Sequence, residues 1–405
     1  MYPGQYALTN PDRPAFIMAG SGLTVSYAQF EARSNQLAHF LRSQDLQFQD
    51  HYSIFMENNE RYMESCAAGE RAGLYYTCIN SYLTGDELAY IVNNSESKVL
   101  ITSKSKIDVV VDALASCPNI QMVLVTDGGD VDLPKGMMDF AAAVEVCSTA
   151  PLAEEFLGTS MLYSSGTTGQ PKGIIRPLPK QPPSEPLPIF QFLGALWGYR
   201  EDMIYLSPAP LYHSAPQAAV SLTLRIGGTV VIMERFDPLE YLDLIERYQI
   251  SHTQLVPTMF SRMLKLTEAE RTRADLSSLE IAVHAAAPCP VMVKQQMIAW
   301  WGPIIHEYYG ATEGLGFAAC NSQEWLAHQG TVGKVVLGDL TILDDEMQPL
   351  PNGEPGTLWF KTATEFSYHN DAAKTAESTS ADGSMTTVGD VGYVDDDGFL
   401  YLTDR

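Results

Sequence analysis

Residues 163–173 read YSSGTTGQPKG and are the strongest local concentration of phosphate-binding chemistry in the chain. Gly166, Gly169 and Gly173 let a backbone approach a polyphosphate closely, while the hydroxyls of Ser164, Ser165, Thr167 and Thr168 and the free N–H groups between them supply donors. Lys172 adds a point charge. The segment is not a Walker A loop, because Gly173 rather than Ser or Thr follows the lysine. Its plain alternative is a flexible Ser/Gly/Thr linker.

Residues 308–314 (YYGATEG) follow the strand-like pair Ile304-Ile305. The carboxyl end of a strand in an open α/β sheet is where ligands bind. Glu313 offers a hard oxygen for Mg²⁺, Thr312 a hydroxyl for a phosphate, and Tyr309 a flat face for a base. The alternative is a tight turn with a solvated glutamate. In the run 389–405 (GDVGYVDDDGFLYLTDR), Asp390 could accept two ribose hydroxyls and Arg405 could pair with a phosphate. The acidic triplet 395–397 invites a metal reading, but its place before Gly398 and between two apolar runs makes it a hairpin turn. Two shorter segments also follow strand-like runs. In residues 210–213 (PLYH), His213 could bind or gate, although a lone histidine is usually structural. In residues 284–288 (HAAAP), small side chains would let a planar ring lie on the backbone of Ala286, Ala287 and Pro288, the alternative being a turn into a helix.

These segments need a scaffold, and the hydrophobic pattern supplies one. Residues 24–50 form an amphipathic helix that Thr24 or Ser26 can cap. The runs 98–102 (KVLIT) and 120–126 (IQMVLVT) flank a helical stretch over 106–115, which is a βαβ unit and hence a parallel sheet. The pattern recurs. A strand over 229–233 leads to a helix with Asp237 as N-cap and Pro238 at its first position, and further strands over 250–256, 281–285 and 304–308 follow, with a helix over 291–300. Residues 177–188 are proline-rich and read as an exposed loop. From about Gly330, short strands alternate with turn signals, the texture of an antiparallel β unit. The fold class is α/β: a first doubly wound subdomain over 1–200 carrying the phosphate loop, a second over 201–329, and a small β-barrel over 330–405.

At 405 residues the chain has room for two or three cores, and 45% hydrophobic residues can fill them. A net charge of −24 argues against nucleic acid or an anionic membrane as main partner, since both need a basic footprint. The six cysteines have no CxxC or zinc spacing and read as reduced, structural thiols. Residues 1–23 lack a basic region followed by an apolar one, and no apolar run reaches the ~18 residues of a spanning helix, so a cytoplasmic protein without a transmembrane segment is expected.

The ordered set of these five segments resembles the adenylate-forming superfamily of acyl-CoA synthetases, adenylation domains and luciferases, over essentially the whole chain. The resemblance implies a layered αβαβα packing of the two subdomains. It also implies activation of a small-molecule carboxylic acid by ATP and Mg²⁺ to an acyl-adenylate, followed by transfer to a thiol, commonly CoA. By motif, Ser164, Ser165, Thr167, Thr168 and Lys172, with Gly166 and Gly169, would embrace the β- and γ-phosphates. Thr312 would contact the α-phosphate and Glu313 would hold Mg²⁺. Tyr309 and Gly310 would face adenine opposite Ala286, Ala287 and Pro288; at Ala285, Ala286 and Ala287 many relatives have glycines. Asp390 and Arg405 would bind the ribose, and His213 would sit between acyl carboxylate and phosphates. In the family a lid domain carrying an essential lysine follows the TDR run. The sequence ends at Arg405, so the expectation is a large N-terminal domain that binds ATP and acid and adenylates weakly or not at all. Ser214, Ala215 and Pro216 stand where amino-acid-activating relatives place an aspartate, which disfavours an amino acid. Residues 366–378 (FSYHNDAAKTAES) look most like fatty-acyl, bile-acid or steroid-side-chain CoA synthetases, with Leu211, Tyr212 and residues 218–224 lining an acyl tunnel or simply core. A homodimer is implied by resemblance alone. The rival readings are a non-catalytic nucleotide- or acyl-binding relative and an acyl-AMP ligase that loads a carrier protein.

Overall fold

The computed structural model describes residues 2–164, 170–361 and 365–404. The chain forms two compact units, Met1–Arg235 and Phe236–Arg405.

In the first unit, the described residues build a parallel sheet in the order Met137–Asp139, Met122–Thr126, Val99–Ser103, His51–Phe55, Tyr75–Cys78, Thr159–Ser160. Every residue of His51–Phe55 and Val99–Ser103 is buried, as expected for strands covered on both faces. The order reverses around His51–Phe55, whose successor Tyr75–Cys78 lies on one side and Val99–Ser103 on the other. A second array runs Ile204–Ser207, Thr229–Ile232, Pro14–Met18, Thr24–Ser26, parallel except for its last pair. Thr229–Ile232 therefore pairs with the N-terminal strand, a partner more than 200 residues away in sequence. The amphipathic helix is Tyr27–Ser43. Ser26 caps it with a reciprocal Gln29 contact, and Phe30, Leu37 and Leu41 are sealed in the core. The proline-rich loop is exposed along most of its length, but Leu178 turns inward against Tyr75 and Met161.

The second unit opens with parallel strands His252–Leu255, Ile281–His284 and Ile305–Gly310. Asp237 caps the helix Pro238–Tyr248 by accepting from the N–H groups of Leu239 and Glu240. The antiparallel region continues directly from the parallel strands. Phe317–Cys320 pairs with Ile305–Gly310, and Gly333–Leu337, Phe399–Asp404, Val391–Val394, Gly356–Lys361 and Asp339–Leu343 follow in that order. Leu315, Ala318, Ile342, Leu358, Phe360 and Leu400 form its core. The acidic triplet is the hairpin turn between Val391–Val394 and Phe399–Asp404: the Asp395 carboxylate accepts from the N–H groups of Asp397 and Phe399, and Gly398 takes φ +84°. Among the described residues, no helix is long and apolar enough to cross a membrane.

Candidate active site

In the first unit, Ser164 and Lys172 face each other across the antiparallel pair Leu162–Ser164 and Lys172–Ile175. The sequence between them that carries Ser165, Gly166, Thr167, Thr168 and Gly169 lies outside the described residues, as does Arg405. The feet of the hairpin are braced by the helix Gly85–Asn94. Tyr163 Oη donates to Asn94 Oδ1 at 2.6 Å, and Tyr90 Oη donates to the carbonyl of Pro171 at 3.1 Å. A Cβ at Gly173 would meet the Tyr163 ring at 3.1–3.3 Å, so a larger residue needs the ring to shift by a few tenths of an ångström.

His213 precedes the helix Ser214–Arg225, and its ring centroid lies 4.3 Å from that of Tyr212. Partial desolvation pushes its pKa below the ordinary imidazole value, although the residue keeps an exposed edge. The segment leading to it is fixed by Asn58, which is buried just beyond the strand His51–Phe55. Asn58 Oδ1 accepts from Leu211 N–H at 2.8 Å, and its Nδ2 donates to the carbonyls of Ala209 at 3.1 Å and Met233 at 2.9 Å. Leu211, Val220, Leu222 and Leu224 are packed into the core, so the plain core reading accounts for them. Tyr212 is partly buried and stays a candidate for acyl contact.

In the second unit, the strand register gathers the predicted residues. Ile281–His284 and Ile305–Gly310 are parallel neighbours with His284 opposite Glu307, so Ala286, Ala287 and Pro288 emerge beside Tyr309 and Gly310 at the same sheet edge. Ala286 to Pro288 are exposed and Tyr309 is half-buried. Of the three alanines, Ala286 alone has a positive φ, +76°, a position where glycine would sit without strain. Tyr309 Oη donates to Asp390 Oδ2 at 2.7 Å. Residues 311–314 make a turn in which Gly314 N–H donates to the Ala311 carbonyl and Gly314 takes φ +77°. The turn buries Glu313 to 4% exposure and leaves Thr312 half-buried. Tyr368 Oη donates to Glu313 Oε1 at 2.9 Å.

Tyr90, Asn94, Asn58 and Tyr368 were not among the expected site residues. Their partners are remote in sequence, so no local spacing marks them. Tyr368 alone fell in a motif already noted, the 366–378 stretch.

The fold and these strand-end residues define a domain of the adenylate-forming class. The family profile described as AMP-binding enzyme matches residues 5–367, and the chain belongs to that family. Among curated proteins, 4-coumarate–CoA ligase 1 of Petroselinum crispum is 26% identical over 97% of this chain and 73% of its own length. A Rhodococcus jostii CoA ligase, named for a propanoyl group on a methyl-dioxo-octahydroindene ring, is 27% identical over 96% of this chain and 76% of its own. Among solved structures, the inhibitor-bound N-terminal domain of FACL13 from Mycobacterium tuberculosis superimposes with a TM-score of 0.86 at 22% identity, covering all of this chain and 98% of that one. The fold is thus that of the N-terminal domains of adenylate-forming enzymes, and the sequence relatives are CoA ligases.

Proposed function

We propose that this chain binds ATP with Mg²⁺ and activates a hydrophobic carboxylic acid to its acyl-adenylate, from which the acyl group passes to CoA. The observation that carries the reading is Glu313. It is a buried carboxylate oriented by a neutral hydroxyl, beside the turn that presents Thr312. Among the described residues no Lys or Arg lies within ion-pair distance of it. An uncompensated buried carboxylate is costly unless a cation completes it. Mg²⁺ suits the group, because it takes hard oxygens and is commonly held by one or two carboxylates plus substrate phosphates. Bound there, the ion would neutralise phosphate charge.

The remaining residues bind and orient. Tyr309 and the backbone of Ala286, Ala287 and Pro288 would flank the adenine. Asp390, held by Tyr309, would accept from the ribose hydroxyls, and Arg405 would bind the ribose as a donor. Ser164, Ser165, Gly166, Thr167, Thr168, Gly169 and Lys172 would meet the β- and γ-phosphates, and Thr312 the α-phosphate. His213, whose lowered pKa favours the neutral ring near pH 7, would donate to the acid without forming a competing ion pair. One carboxylate oxygen of the acid attacks the α-phosphorus and the bond to pyrophosphate breaks. In the second half-reaction a thiolate attacks the acyl carbon and AMP leaves. Bringing two anions together is chiefly a matter of position and fixed donors, which can supply about 7–11 kcal/mol of the barrier. The apolar acid is supported by the ring-bearing acids in the relatives' names and by the lack of an acidic residue at 214–216.

The test is a thermal-shift series with Mg-ATP and then with stable acyl-adenylate mimics bearing aryl, long-chain and fused-ring acyl groups. A ligand at ~100 times its Kd stabilises by about 2.7 kcal/mol, so binding is readily seen. The expected result is a shift with Mg-ATP that one apolar acyl class exceeds. No shift with any of them would contradict the reading.

A further inference from the structure

Beneath the loop 285–290 lies a buried charge cluster to which the reaction assigns no role. Glu307 is 5% exposed, and His284 and Lys294 are fully buried. Glu307 Oε2 accepts from Lys294 Nζ at 2.5 Å and lies 3.4 Å from His284 Nε2. His284 ends the strand that enters the loop, and Lys294 lies in the first turn of the helix Val291–Trp301 that leaves it. One carboxylate oxygen therefore bonds the residue at the exit of the loop and stands close to, without a hydrogen bond to, the residue at its entrance. The same glutamate sits on the neighbouring strand, two residues before Tyr309.

The cluster is closely packed. Lys294 Nζ stands 4.7 Å over the Trp325 ring, and Phe260 meets His284 edge-on at 5.4 Å. Burial, then the charge of Lys294, holds His284 well below its ordinary pKa, so the imidazole is neutral and Glu307 pairs with the lysine alone. The loop above is otherwise loosely held. Ala286, Ala287 and Pro288 are exposed, and Ala286 is in the left-handed region that a side chain disfavours. A strained, exposed loop keeps one conformation only if its ends are fixed.

We propose that Lys294 and Glu307 form a clamp that sets the conformation of residues 285–290 and ties them to the Tyr309 strand, which makes both of them positioning residues for the base of the nucleotide. The clamp rests on the reading that Ala286, Ala287 and Tyr309 flank adenine. It accounts for a lysine and a glutamate taken fully out of water where an apolar pair would pack at lower cost.

Lys294→Met, Glu307→Gln and the double variant, made in the whole chain, test this. Two readouts are needed: hydrogen exchange at the amides of Val293 and Lys294, which donate to the Pro290 carbonyl at the end of the loop, and the affinities for Mg-ATP and for magnesium tripolyphosphate, which has no base. In the double variant no buried charge is left unpaired, so it should melt close to wild type even if Lys294→Met does not. The expected result for the double variant is exchange at these amides faster by about tenfold and Mg-ATP bound about tenfold more weakly, with tripolyphosphate affinity changed by less than about twofold. A folded double variant with unchanged exchange overturns the clamp. Equal weakening of ATP and tripolyphosphate overturns base positioning and leaves only a general structural role. Faster exchange with unchanged ATP affinity keeps the clamp and removes the adenine reading on which its function rests.

Discussion

Glu64 in the first unit and Glu313 in the second are both buried glutamates, at 0% and 4% exposure, and they are held in opposite ways. Glu64 lies between two guanidinium groups, with Arg33 at 3.0 Å and Arg61 at 3.1 Å. Glu313 meets a tyrosine hydroxyl at 2.9 Å. A guanidinium cancels charge as well as fixing geometry, whereas a hydroxyl fixes geometry and leaves the charge. The first arrangement ties the helix Tyr62–Ala72 to the helix Tyr27–Ser43 through Arg33. On the proposed function, the second is completed by a cation that arrives with the ligand. Burial alone does not separate the two carboxylates; the partner does.

The largest effect that can break this contrast lies in the first unit. Arg61→Met leaves Glu64 with one counter-charge and should cost about 3 kcal/mol of stability in urea unfolding. Even with both arginines, burial pushes the Glu64 pKa above its ordinary value of 4.5. A carboxyl whose folded pKa is raised contributes stability that is complete below the unfolded value and lost as pH rises through the folded one. The Arg61→Met penalty should therefore be small below about pH 4.5 and grow toward neutrality. A flat penalty across that range would mean that Arg61 acts through packing on Phe140 rather than through Glu64. Affinity for Mg-ATP, per folded molecule, should stay unchanged.

Next in size, Glu313→Gln should weaken Mg-ATP binding by about 100-fold, near 2.7 kcal/mol, while leaving urea stability equal or slightly higher, since it removes an uncompensated buried charge. Equal losses in binding and stability would make Glu313 a second Glu64. Tyr368→Phe removes one hydroxyl and should cost about 1–1.5 kcal/mol of Mg-ATP affinity, roughly tenfold, with tripolyphosphate and magnesium following the same order. The smallest expected change is in Ala286→Gly. Relief of the left-handed backbone should raise stability by up to about 1 kcal/mol, seen as a slightly higher Tm.

What the sequence revealed and what it hid follow the same division between local and distant interactions. The Asp237 cap, the narrowing of the other cap to Thr24 or Ser26, the helix and strand periodicities and the Asp395 turn rest on residues within four positions of one another, and all of them were legible. The strand-end motifs were legible because residue type and preceding strand together imply where a side chain emerges. Asn58 reaches Leu211 across 153 residues, and Tyr368 reaches Glu313 across 55. Nothing in local spacing encodes such pairs. The grouping of Thr229–Ile232 with Pro14–Met18 was hidden for the same reason, since strand order is set by packing and not by adjacency in the chain. The core roles of Leu222 and Leu224 were equally open until their neighbours were known, because an apolar helix face reads alike whether it lines a tunnel or seals an interior.

The most direct measurement is a calorimetric titration of ATP into the wild-type chain and into Glu313→Gln, each with Mg²⁺ and with EDTA. In the wild type, ATP should bind tightly with Mg²⁺ and weakly without it. In Glu313→Gln the two conditions should converge on the weak value. If the variant binds Mg-ATP as the wild type does, the buried carboxylate held by Tyr368 is not the metal-nucleotide ligand.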